Sequence, residues 1–239
     1  MYENRYVAIA GIWLAGHLVL AQAVSDEEIV ARSKANSSHF RHWDRGPDLK
    51  ERANSLGKDI SADRVITGTS SLCDGCPSPD PQNDPAVKRA THESDVVVIG
   101  QVRRNVSAFT EHNAFVFTDS QFVVGEIWKN SADHPTVVGQ EITIARPGGT
   151  VQSGEHTIRA YPSNQVPLQV GRTYLMYLNY LFDSNSYVPV TLDGFDVTGL
   201  AVIPLRSSEL PPAERLLSNK PQFLKAMQAS TMRGIEEGK

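Results

Sequence analysis

Cysteine is nearly absent from this chain: two residues in 239, standing close together as Cys73 and Cys76. That excludes a multi-bridge disulfide scaffold, which needs several cysteines tying distant segments together. A strong charge of either sign is lacking as well, with 23 Lys and Arg against 27 Asp and Glu, a net of -4 with neutral histidine. Such a balance provides no broad positive field for a phosphate backbone, so nucleic acid is not an expected partner. No run beyond residue 20 is long and apolar enough to span a bilayer, and no internal repeat is visible. Catalytic signatures are missing too. Gly148 and Gly149 lack the lysine-serine ending and following helix of a phosphate loop, and the stretch around Ser70 is not a nucleophile elbow. The seven histidines show no metal-ligand spacing, so neither a metal nor a cofactor is read from the sequence.

One apolar run is present, at residues 7–20, preceded by Arg5 and followed by Ala21, Gln22 and Ala23. As a helix it covers roughly 21 Å, short of the ~30 Å hydrocarbon layer. Small residues at the first and third places of the closing triplet suit a signal peptidase. Residues 1–23 therefore read as a signal peptide, cleaved after Ala23, and the protein as secreted or periplasmic with no stable membrane span after processing.

The remainder divides into three. Residues 24–83 form a polar arm with short helices, one from Asp26 and one over 49–56 ended by Gly57, followed by a loop rich in proline from Gly68 to Pro85. Residues 84–205 form the body. A short helix begins at Pro85 with Asp84 as its cap, and β-branched or alternating runs then follow over 95–102, 114–128, 141–145, 174–180, 187–190 and 195–203. Residues 151–161 offer irregular or edge pairing. Residues 206–239 are helical, with Phe223, Leu224 and Met227 making an apolar stripe. Short turns with no crossover helices predict a mainly β fold, a small antiparallel barrel with flanking helices, in which Gly100 and Gly125 permit bends.

Cys73 and Cys76 allow three readings: a structural disulfide formed after export, half of a zinc site, or a redox pair. The prolines that follow keep a helix N-terminus from lowering a thiol pKa, which favours an inert Cys73–Cys76 disulfide.

The helix into Val96-Val97-Val98-Ile99-Gly100, then Val124-Gly125-Glu126-Ile127-Trp128, Gly139-Gln140-Glu141-Ile142 and Gly171-Arg172-Thr173-Tyr174-Leu175, resembles the netrin-like modules related to tissue inhibitors of metalloproteinases. The resemblance runs over about residues 84–199. It implies a five-stranded barrel of the oligonucleotide/oligosaccharide-binding type. Inhibitory members of that family present an N-terminal cysteine to a protease metal. Here residue 24 is Val and the barrel region has no cysteine, so metalloproteinase inhibition is not expected.

Aromatic residues crowd one hairpin, and Tyr174, Tyr177 and Tyr187 are the candidate binding residues, with an envelope protein or a glycan as partner. The expected function is non-catalytic binding or a structural role in the cell envelope or extracellular space. The alternatives are a thiol–disulfide protein or a hydrolase assembled from His112, Asp119 and Glu141.

Overall fold

The computed structural model describes residues 26–64, 85–163, 165–200, 202–205 and 220–237. The expected signal peptide, the cysteine pair with its proline-rich surroundings, and the short helix expected over 212–217 lie outside the described residues. In chain order the first elements are α1 (Asp26–His39), a 3-10 turn (Arg41–Trp43), α2 (Leu49–Leu56), β1 (Ile60–Arg64) and α3 (Pro85–Glu93). Then come β2 (Val96–Phe109), β3 (Val116–Lys129), β4 (Glu141–Pro147), β5 (Gly149–Ser153), β6 (His156–Pro162) and β7 (Thr173–Leu181). A 3-10 turn (Phe182–Ser184) leads into β8 (Ser186–Asp196), β9 (Ile203–Pro204) and α4 (Lys220–Glu237).

The fold is mainly β. Six strands form one sheet in the order β4-β3-β2-β7-β8-β9, every neighbour antiparallel. A further parallel contact joins β4 to β8 at Ile144 and Tyr187, the two ends of the five-strand run. Val98, Val102, Phe122, Val124, Ile142, Ile144 and Met176 share one apolar cluster on the face these five strands have in common. Side chains of opposite parity, Val97, Leu175 and Tyr177, meet Val87 and Ala90 of α3 and Phe223 and Met227 of α4. The i, i+4 spacing of the last two is what docks α4 on the sheet.

The long strand β2 bends because its backbone is allowed to. A Cβ on Gly100 would lie 2.2 Å from the Val123 carbonyl oxygen and 2.4 Å from the Phe122 ring, so only glycine fits the crossing. The pairing register with β3 shifts next to it, and shifts again between Val102 and Arg104.

The second sheet has three strands, β1-β6-β5, with β1 parallel to β6. The stretch 151–161, expected to be irregular or an edge, supplies most of its β5–β6 hairpin. The polar arm is folded onto the body. In α2 the Asp48 carboxylate caps the backbone amides of Lys50 and Glu51 at 2.7 and 3.1 Å, and Gly57 closes the helix in the left-handed region. Leu49 and Ala53 then pack with Ile60, Phe115 and Ile158 in a core of their own. Phe40, following α1, is buried and stacks on Phe117 with ring centroids 5.2 Å apart, and Trp43 stacks on Phe115 at 4.9 Å. Burying a ring of that size stabilises by about 2 kcal/mol, enough to hold a helix whose own composition is polar.

Candidate functional site

The apolar face of the five-strand run turns polar at one end. The extra residue at the Val102/Arg104 shift brings Asn105 opposite Ser120 and Ser107 opposite Thr118, on the face that Val102 and Phe122 occupy one step earlier. On β4 the sequence Ile142, Ile144, Arg146 continues the same parity, so a guanidinium stands where the next aliphatic residue would be. These side chains, with Thr150 and Tyr161 from the second sheet and the segment 165–168, enclose a cavity of ≈ 200 Å³.

Arg146 is 4% exposed and the hub of the site. Its Nη1 donates to the Val166 carbonyl at 2.9 Å, and its Nη2 to Asp193 Oδ2 at 3.1 Å. Gln165 Nε2 donates to the same carboxylate oxygen at 3.0 Å, and Asn105 Nδ2 donates to the Leu168 carbonyl at 2.8 Å. Three bonds thus staple the 165–168 segment across the end of the sheet.

Asp193 is buried and holds a φ of 61°, uncommon for a residue with a side chain. Its neighbour Gly194 has a φ of 152°, and a Cβ there would come within 2.1 Å of the Leu175 carbonyl oxygen. The β7–β8 register shifts at this place. Local strain is therefore concentrated where the carboxylate is turned towards Arg146, a pattern common at functional positions.

Each anchoring side chain leaves one polar atom over. Arg146 Nε, Asn105 Oδ1 and Gln165 Oε1 are buried and have no hydrogen-bond partner among the described residues. Unpartnered buried polar atoms are costly and rare, and here three belong to residues that line one cavity. The hydroxyls add a fourth open group. Thr118 donates to the Gly148 carbonyl at 2.7 Å, so Ser107 must donate to Thr118 at 2.8 Å, which leaves Ser107 Oγ as an acceptor. Arg146 and Asp193 offset each other in charge. The cavity is therefore lined by a mixture of N–H and O–H donors and oxygen acceptors at near-neutral charge. None of these groups forms a nucleophile–base pair.

The candidate tyrosines do not belong to a surface. Tyr174, Tyr177 and Tyr187 are 1%, 0% and 5% exposed, which corrects the expectation that they form a ligand platform. Their parity points them into the apolar clusters on either side of the sheet, and their hydroxyls are engaged internally. Tyr174 Oη accepts from the Gln169 amide at 2.8 Å, and Tyr187 Oη bonds Thr136 Oγ1 at 2.9 Å. The exposed aromatic of that hairpin is Phe182, packed with Tyr180 and His134 at 5.2 and 4.5 Å.

The three residues of the hydrolase alternative are engaged separately. Asp119 accepts from Ser33 and Asn36, the exposed His112 bonds Asp44, and Glu141 is exposed. Cys73 and Cys76 lie outside the described residues. Among the described residues no helix is long and apolar enough to cross a membrane.

Arg146, Asn105, Gln165 and Asp193 were not singled out from the sequence. One signal for Arg146 was available, a charged residue at an inward position after two isoleucines. The Asp193-Gly194 pair within a strand was another. Set against models of known protein families the chain matches none, and a search of curated proteins returns no match.

Proposed function

We propose that the protein is an exported, non-catalytic binding protein whose cavity takes a small polyhydroxylated ligand, a sugar unit of an envelope glycan being the chemistry that fits. One observation carries this reading: Arg146 Nε, Asn105 Oδ1 and Gln165 Oε1 have no partner among the described residues, and all three residues line one cavity. A hydroxyl both donates and accepts, so a sugar suits a lining of mixed donors and acceptors, without bringing charge that the Arg146–Asp193 pair does not need.

The fold supports the same reading. Five strands in the order β4-β3-β2-β7-β8, with β4 and β8 in parallel contact, suit a closed barrel of the oligonucleotide/oligosaccharide-binding type, as the netrin-like resemblance implies. The cavity is then the barrel mouth, a usual ligand position in small barrels. Export rests on the reading of residues 1–23 as a signal peptide.

Isothermal titration against a panel of neutral monosaccharides and polyols tests the function. The native protein is expected to bind at least one. Asn105→Ala and Gln165→Ala are each expected to weaken binding by about tenfold, on the order of 1.4 kcal/mol, with a much smaller change in thermal midpoint. No binding across the panel, or affinity unchanged in the double variant, defeats the reading.

A further inference from the structure

A second and larger cavity, ≈ 670 Å³, lies between the end of β2 and the helices α1 and α2. It falls within the ~300–1,000 Å³ typical of sites for drug-sized molecules. Val106, Ala108 and Phe109, all half-buried, supply its apolar lining. The rim carries Lys34 from α1, Arg41 after it and Lys50 from α2.

Acids are fewer there. Glu111 pairs with Arg41 at 3.5 Å. Asp48, beside Lys50, is occupied in capping α2 and in accepting from Asn113 Nδ2 at 2.9 Å. Lys50 Nζ stands 4.6 Å from the centre of the Phe109 ring, so a cation and an apolar surface adjoin directly. Ser37, buried in the wall of the groove, has a hydroxyl with no partner among the described residues, although the neighbouring Ser33 and Ser38 hydroxyls donate to Asp119 and to the Ala35 carbonyl.

We propose that this groove is a second binding site, for a single-chain amphipathic anion whose apolar chain lies on Val106, Ala108 and Phe109 and whose carboxylate meets Lys34, Lys50 and the Ser37 hydroxyl. Charge complementarity selects the head group. The apolar lining selects a hydrocarbon chain rather than a second sugar, because the open polar atoms of the first cavity have no counterpart among Val106, Ala108 and Phe109. The site is independent of the sugar site: Ser107 borders both cavities, but Lys34, Ser37, Lys50, Val106, Ala108 and Phe109 line the second alone.

Titration calorimetry of the full chain at low ionic strength compares dodecanoate, dodecanol and dodecyltrimethylammonium, each below its micelle concentration. Dodecanoate is expected to bind at least about tenfold more tightly than dodecanol, and the cationic detergent not at all. Lys34→Gln/Lys50→Gln should erase the preference for dodecanoate while leaving sugar binding at the first cavity unchanged. Equal binding of dodecanoate and dodecanol, no binding of either, or a double variant that still prefers dodecanoate overturns the proposal. Binding confined to vesicles of anionic phospholipid also overturns it, by showing that the cations serve a membrane surface. Failure of the sugar titration has no bearing on this site.

Discussion

Asp119 is a carboxylate buried beneath α1. Burial pushes its pKa up to about 6, against the pull of hydrogen bonds from Ser33 Oγ at 2.7 Å and Asn36 Nδ2 at 2.8 Å and of the Arg32 charge. With the folded value above the unfolded one, the stability this group contributes is fully present below about pH 4 and is lost as pH rises through about 6. The difference across that window is about 3 kcal/mol. Asp119→Asn keeps the shape and removes the charge. At pH 8 it is expected to unfold at a higher temperature than the native protein, and the difference should shrink or reverse at pH 4. Scanning calorimetry at both values checks this, and a difference that does not vary with pH contradicts it. Asp44 behaves oppositely. Burial alone would raise it, but hydrogen bonds from Thr110, His112 and Ala114 hold it below the usual carboxylate range. Its contribution is present at neutral pH and lost only as pH falls through that lowered value.

At the scale of elements, the arm shows how a polar segment becomes part of a fold. α1 and the turn after it rely on Phe40 and Trp43 for apolar contact, and on the Asp119 cluster for orientation. Phe40→Ala is expected to cost about 3 kcal/mol. Hydrogen exchange should show the amides of α1 losing protection while those of β2 keep theirs; equal loss in both would mean that the arm is not a separable unit. The strands of the body were legible because β-branched residues and alternation mark β2, β3, β4 and β7. Both flanking helices were legible from Pro85 and from the Phe223–Met227 stripe. β1 was not, because Ile60 is the one large apolar residue in a strand held by pairing with β6 rather than by its composition. The tyrosines were misplaced for a different reason. Abundance of aromatics on a hairpin says nothing about which face each one takes, and alternation along β7 sends Tyr174 and Tyr177 to opposite faces, both of them covered. The cavity was invisible because it joins β2, β3, β4 and the 165–168 segment, and its geometry depends on a register shift and a strained Asp193 that residue pattern does not reveal.

For the molecule as a whole, two sheets and a stapled segment leave a polar cavity at the end of an otherwise apolar core. A protein selected for packing alone would place aliphatic residues at Asn105, Ser107 and Arg146, where the inward parity of β2 and β4 continues. Instead the site holds a buried ion pair and three buried polar atoms with no partner among the described residues, an arrangement that costs stability and that a ligand can offset. The most direct measurement follows those atoms themselves. In nitrogen-15 spectra of the labelled protein, the Arg146 Nε–H and the side-chain amides of Asn105 and Gln165 give separate signals that can be followed through a titration with the sugar that binds. The account predicts that all three move together and saturate at one affinity, with backbone signals of residues 165–168 moving alongside. Shifts confined to other parts of the protein, or these three signals unmoved at saturating sugar, would contradict it.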